Sequence, residues 1–124
     1  MIIKTPNNGI AKYNFPNIVK NDDYGGASFT ITDSKTGLAI DITNVIIKIE
    51  FKLTSSSPVA LTYSTTNGLI LITDAINGVF QIISNQVSID AGRYLYDCEF
   101  TYPNGRVKTY FSGTWVIIQD ITNG

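Results

Sequence analysis

Histidine is absent from the 124-residue sequence. The chain therefore lacks the usual general base near neutral pH and the commonest neutral metal ligand. Cysteine occurs once, at Cys98, so no internal disulfide can form and an extracellular disulfide scaffold is excluded. Charge is scarce: only 15% of residues carry one, and the formal net charge is -1. The nine Lys and Arg positions are scattered, which leaves no basic field for a phosphate backbone and argues against a nucleic-acid partner. Long apolar runs are missing as well. No stretch reaches the ~18 residues of a spanning helix, and Met1-Ile2-Ile3-Lys4-Thr5-Pro6 has no secretory apolar run. The expectation is a chain made in the cytoplasm, with no membrane anchor.

What is present is a packed domain's composition, 44% hydrophobic, in a length that fits one core. Helical spacing is nowhere sustained, whereas period-two alternation is frequent and puts successive side chains on opposite faces of a strand. Ala27 to Asp33 sets Phe29 and Ile31 against Ser28, Thr30 and Thr32. Asn44 to Leu53 sets Val45, Ile47, Ile49, Phe51 and Leu53 against Ile46, Lys48, Glu50 and Lys52. Shorter strands are expected at Val59 to Tyr63, Leu69 to Thr73 and Val79 to Ile83, with Asn77-Gly78 supplying the positive-φ residues that make the last two neighbours. Gly92 to Thr101 gathers Tyr94, Tyr96, Cys98 and Phe100 on one face, read as inward. Tyr102-Pro103-Asn104-Gly105 then turns into Arg106 to Phe111, and Gly113 is expected to break that strand from Thr114 to Ile118 as a bulge. About seven or eight short antiparallel strands match an all-β, immunoglobulin-like β-sandwich without a disulfide.

The first two dozen residues read differently, because Thr5-Pro6-Asn7-Asn8-Gly9 and Phe15-Pro16-Asn17 interrupt any period. The expected organisation is an extended N-terminal arm over 1–23 and a sandwich over 24–124. Tyr13, Phe15 and Tyr24 stand out, since the alternating pattern of the domain does not require them. As apolar anchors they are candidate subunit contacts. Two readings stay open: the arm lies on a neighbour, adding a strand to its sheet edge, or it folds back over an edge of its own sandwich. On the first reading, removing the arm weakens assembly and leaves the domain folded.

Asp90-Ala91-Gly92-Arg93-Tyr94 precedes the aromatic strand. A tyrosine there can return its hydroxyl to the loop backbone, as in the tyrosine corner of immunoglobulin domains, which makes Asp90, Gly92 and Tyr94 a structural motif. A wider likeness runs from about Ile18 to Thr122. Ile18-Val19-Lys20-Asn21-Asp22, Phe29-Thr30-Ile31-Thr32, Ala39-Ile40-Asp41-Ile42-Thr43, Ala91-Gly92-Arg93-Tyr94-Leu95-Tyr96-Asp97, Gly105-Arg106-Val107-Lys108-Thr109-Tyr110 and Gly113-Thr114-Trp115-Val116-Ile117-Ile118-Gln119-Asp120 resemble immunoglobulin-like domains of tailed-bacteriophage virion proteins. The N-terminal domain of phage baseplate upper proteins is similar. That resemblance implies a non-enzymatic structural protein of the virion, whose partners are capsid or tail subunits and which is open to homo-oligomeric association in the assembly. Family members carry further domains, whereas this chain ends at Asn123-Gly124, so an auxiliary capsid (decoration) role is expected ahead of a tail or baseplate one.

The remaining chemistry is thin. Asp22-Asp23 are adjacent carboxylates, but neighbours on an extended chain point apart, and a polar turn through Gly25-Gly26 explains them better than acid/base catalysis. They also lack the spaced oxygen ligands of a calcium loop. Gly25-Gly26 has no Walker spacing. Cys98, between Tyr96 and Phe100, reads as a small core hydrophobe. Neither a metal nor a cofactor is expected. From a different class, Trp115 and the seven tyrosines could form a platform for host-surface carbohydrate, a reading that requires them to be exposed and coplanar.

Overall fold

The computed structural model describes residues 1–5 and 10–121. From Pro6 to Gly9 the interruption expected near the start lies outside the described residues, as do Thr122 and the end at Asn123-Gly124. All regular structure among the described residues is β. In chain order the strands are β1 (Ile2–Thr5), β2 (Ala11–Lys12), β3 (Ile18–Val19), β4 (Asp23–Tyr24), β5 (Ala27–Asp33) and β6 (Ile46–Lys52). There follow β7 (Leu61–Ser64), β8 (Ile70–Asp74), β9 (Val79–Ile82), β10 (Asn85–Gln86), β11 (Gly92–Thr101) and β12 (Val107–Ile118). One sheet has the order β1-β5-β9-β8; the other runs β2-β12-β11-β6-β7, with β3 also on β12. A small pair, β10 with β4, stands beside them.

The two large sheets pack face to face through the inward set of each alternation. Phe29 on β5 stacks on Phe111 of β12 with centroids 5.5 Å apart, and Phe80 on β9 meets Phe100 of β11 edge-on at 5.8 Å. Val45, Ile47, Ile49 and Phe51 are buried, as are Tyr94, Tyr96, Cys98 and Phe100, so the inward faces of β6 and β11 are those that alternation marks. Each such aromatic or branched side chain contributes about 1.5–3 kcal/mol of burial. Leu53 departs from the pattern: β6 ends at Lys52 and Leu53 is exposed. Between β8 and β9, Gly78 has φ 69°, and a Cβ there would come within 2.6 Å of the Ile40 carbonyl oxygen and 2.7 Å of that of Ile31. The position therefore demands glycine for both conformation and space.

Two expectations change. The described residues form twelve strands and the sheets are mixed, because β1 runs parallel to β5, and β2 and β3 run parallel to β12. These added pieces are two to four residues long, too short to show a period. The strand expected to break at Gly113 runs unbroken from Val107 to Ile118. Its irregularity falls instead where Cys98 pairs with Phe111 and Glu99 with Thr109, skipping Tyr110. The reason for Gly113 is close approach: a Cβ there would overlap the backbone of Tyr13.

For the N-terminal segment, the described residues 1–5 and 10–23 follow the second of the two open readings and lie on their own sandwich. Tyr13 N–H donates to Ser112 O at 2.9 Å, Phe15 N–H to Thr114 O at 3.0 Å and Lys20 N–H to Ile118 O at 2.8 Å. Trp115 Nε1 donates to Pro16 O at 2.8 Å. On the opposite sheet β1 lines the edge of β5 with Ile3 buried. One side of the sandwich is thus closed by the N-terminal segment.

Candidate interaction surface

Of the three aromatic residues marked as subunit contacts, Phe15 is only 3% exposed, and that assignment is overturned for it. Its ring meets six others: Tyr13, Tyr24, Phe29, Phe51, Tyr96 and Trp115. It sits between the sheets because Pro16 and Asn14 flank it on the β12 edge, where backbone bonds to Ser112 and Thr114 turn alternate side chains inward. Tyr13 and Tyr24 are half-buried. Tyr13 packs edge-on against Phe29 at 5.5 Å, and its carbonyl accepts the Tyr96 hydroxyl. Tyr24 lies edge-on to Trp115 at 5.1 Å, and burial pushes its phenol well up from 10.0. No period in the sequence signals this cluster; its one cue is three aromatic residues in a segment that shows no regular alternation.

Asp90, Gly92 and Tyr94 lie together at the start of β11. The Tyr94 hydroxyl donates to Asp90 O at 2.7 Å, and the Asp90 carboxylate takes Lys20 Nζ at 3.1 Å. This bond ties the β10–β11 loop down and anchors the chain's entry to the inner strand. It is structural in its chemistry, since Tyr94 is buried and faces the core.

The groups that could react are held away from reaction. The Cys98 thiol is fully buried, and burial, with Asp97 and Glu99 beside it, pushes its pKa well above 9.0. That opposes thiolate formation and hence nucleophilic attack. Asp22 and Asp23 are exposed, with Asp22 in the turn between β3 and β4 and Asp23 opening β4. No cluster of three metal-ligating side chains occurs among the described residues. Trp115, Tyr63, Tyr94, Tyr96 and Tyr110 are buried, so none of these rings offers a sugar-stacking platform. Tyr102, like Tyr13 and Tyr24, is half-buried; its hydroxyl bonds that of Tyr110, and the Arg106 guanidinium stands 5.8 Å from its centroid.

What remains is surface. On the β12-β11-β6 sheet charges gather on two strands, Lys48, Glu50 and Lys52 on β6 and Arg93, Asp97 and Glu99 on β11, beside exposed Ile46 and Leu95, while the outward side of β12 carries Ser112, Thr114, Val116 and Ile118. Glu50 stands directly opposite Asp97, a like-charge pairing that a docked core would not tolerate but solvent does. On the four-stranded sheet the outward positions are Ile2 and Lys4 on β1, Ser28, Thr30 and Thr32 on β5, Val79 and Gln81 on β9, and Leu71 and Asp74 on β8. Apart from one charge at each edge, this face is uncharged. Sequence reasoning identified Ser28, Thr30 and Thr32 as an outward set, but not the face, because which strands lie side by side is set by topology.

No protein-family model matches the chain, and no curated protein matches it.

Proposed function

We propose that this chain is a non-enzymatic structural protein of a tailed-phage virion, an auxiliary capsid protein held by contacts with neighbouring subunits. The observation that carries the reading is the outer face of the β1-β5-β9-β8 sheet, whose outward positions are uncharged apart from Lys4 and Asp74 on its two edge strands. An uncharged flat face is cheap to desolvate and suits repeated weak docking, in which avidity supplies what one contact does not. The strand order β1-β5-β9-β8 facing β12-β11-β6-β7 and the Tyr94 to Asp90 bond support an immunoglobulin-like sandwich. With the resemblance of residues 18–122 to phage virion domains, that points to a virion context. Burial of Cys98 and the lack of histidine favour binding over catalysis. Mass spectrometry of purified particles and cryogenic imaging of particles with the chain tagged test the proposal. Shell density carrying the tag supports it, density on the tail or baseplate moves the chain there, and particles lacking the chain overturn the structural role.

A further inference from the structure

We infer that Asn104-Gly105, at the tip of the β11–β12 hairpin, is a site of spontaneous covalent modification, where water converts the asparagine to aspartate and isoaspartate. The inference goes beyond the virion reading and does not depend on it. Five Asn-Gly pairs occur in the sequence. Three of them, Asn67-Gly68, Asn77-Gly78 and Asn104-Gly105, lie among the described residues. Asparagine is chemically labile, most of all before glycine, whose missing Cβ leaves the next peptide nitrogen unhindered. Once hydroxide has taken its proton, that nitrogen attacks Cγ of the asparagine. The N–Cγ bond forms, the Cγ–Nδ2 bond breaks, and ammonia leaves with a proton from water. Water then opens the cyclic imide at either carbonyl. The product is aspartate, or isoaspartate, in which the backbone runs through the side chain and is one atom longer.

The three pairs share this chemistry and differ in what the fold does to it. Asn67 is sewn to β7. Its Oδ1 accepts Ser64 N–H at 3.1 Å and Leu69 N–H at 3.0 Å, its Nδ2 donates to Thr62 O at 2.9 Å, and its own N–H donates to Ser64 Oγ at 3.0 Å. Ring closure there has to break the bonds to Thr62 and Ser64 together. Asn77 Nδ2 donates to Asp74 Oδ2 at 2.9 Å, which places a carboxylate at a pair whose peptide nitrogen must become an anion. Gly78 is buried; its N–H donates to Ala75 O at 3.1 Å and its carbonyl accepts Ile31 N–H at 2.9 Å. The carbonyl oxygens of Ile31 and Ile40 that exclude a Cβ at Gly78 also leave its peptide no room to turn.

Asn104-Gly105 is free of both restraints. The two residues are exposed, and nothing lies within 4 Å of where a Gly105 Cβ would stand. Among the described residues the Asn104 side chain makes one bond, its Oδ1 accepting Arg106 N–H at 2.9 Å. This contact folds the side chain forward over the Gly105 peptide, which carries the attacking nitrogen. It also sets a donor on the oxygen where negative charge develops during attack. Asn67 shares the forward bond, through Leu69, but not the freedom. The attacking nitrogen itself is restrained only by the exposed turn bond from Gly105 N–H to Tyr102 O at 2.8 Å. A cation, Arg106, follows this pair, where Asp74 stands at Asn77. The product adds one negative charge to the formal net charge of -1 and, as isoaspartate, lengthens the turn that Tyr102 N–H closes on Arg106 O at 2.8 Å.

The full chain, kept folded at physiological temperature in mildly alkaline buffer, is sampled over time. Peptide mapping by mass spectrometry follows amide loss at each of the three pairs, and isoaspartyl methyltransferase with labelled S-adenosylmethionine marks the isoaspartate in each peptide. A parallel sample in guanidinium chloride, where the fold no longer discriminates, gives the rate of each pair when free. Each hydrogen bond that must break slows closure about fivefold. Asn104 in the folded chain is therefore expected to convert roughly tenfold faster than Asn67 and Asn77, while the unfolded sample brings the three to comparable rates. Asn104→Gln, which cannot close the same ring, should remove the label from the peptide containing residue 104 and leave the circular dichroism of the parent. Conversion led by Asn67 or Asn77 in the folded chain, equal rates at all three, or an Asn104 still intact when the unfolded sample has converted overturns the inference. Particle imaging reads the virion role separately.

Discussion

Truncating Phe15 to Ala removes a ring that packs against six others between the two sheets, and large-to-small changes at such sites cost about 3–5 kcal/mol. Urea unfolding should show that loss in the midpoint; a change under about 1 kcal/mol would mean the ring is not held as described. Tyr24 and Tyr63 make a contrasting pair. The Tyr63 hydroxyl donates to Asn85 Oδ1 at 2.8 Å, whereas the buried Tyr24 hydroxyl has no partner among the described residues. Tyr63→Phe should therefore cost about 1 kcal/mol, and Tyr24→Phe should be neutral or stabilising. Burial raises Tyr63 from 10.0 to about 12, against a smaller opposing effect of the Asn85 bond. The unfolded chain then ionises first. Stability from this residue is complete below pH 10.0 and is lost as pH climbs to about 12, at about 1.4 kcal/mol per pH unit. Urea midpoints across that window should fall more steeply for the parent chain than for Tyr63→Phe.

At the scale of elements, the N-terminal segment decides whether the sandwich is closed. Removing residues 1–5 strips β1 and the buried Ile3 from the β5 edge, which should lower stability by about 2–4 kcal/mol while leaving a folded domain. Removing residues 1–23 takes away β2, β3 and Phe15 as well and uncovers Trp115 and Phe111. That truncation should not fold, and a dispersed amide spectrum from it would restore the picture of a separable arm. Gly113→Ala should act like a milder version of it, by pushing Tyr13 off β12. The strands most fully legible in the sequence were β5, β6 and β11, where seven to ten residues of alternation outweigh any local exception; β7, β8, β9 and β12 were placed by the turns between them, with their ends shifted by a residue or two or, for β12, a break that is absent. β2 and β3 were not legible: their partners lie about 100 positions away, and a two-residue pairing leaves no period. Gly113 misled for a related reason. A glycine inside a strand signals either a bulge or a close backbone approach, and only the tertiary path of Tyr13 selects between them. Tyr94 was legible because its partner, Asp90, is local.

For the whole molecule, the same topology puts the two ends of the chain in one interface. Asn14 Oδ1 accepts Thr114 N–H at 3.1 Å, Pro16 O accepts the Trp115 indole at 2.8 Å, and β3 continues the contact to Ile117 and Ile118. Closing that pairing spans nearly the full sequence, so its loop-closure entropy is paid before any of its contacts form. Until β12 exists, Phe15 and Tyr13 have no groove to enter, and the inner faces of β5 and β11 stay open to water. A chain ending at residue 106 keeps eleven of the twelve strands, yet it loses the strand that pairs with β11, β2 and β3 together. It should therefore behave as an unfolded, aggregation-prone chain rather than as a weakened domain. Limited proteolysis with amide spectra on the 1–106 fragment checks this. A protease-resistant fragment with dispersed resonances would show that β5, β6, β9 and β11 suffice for a core, and that the joined ends are a late addition to it.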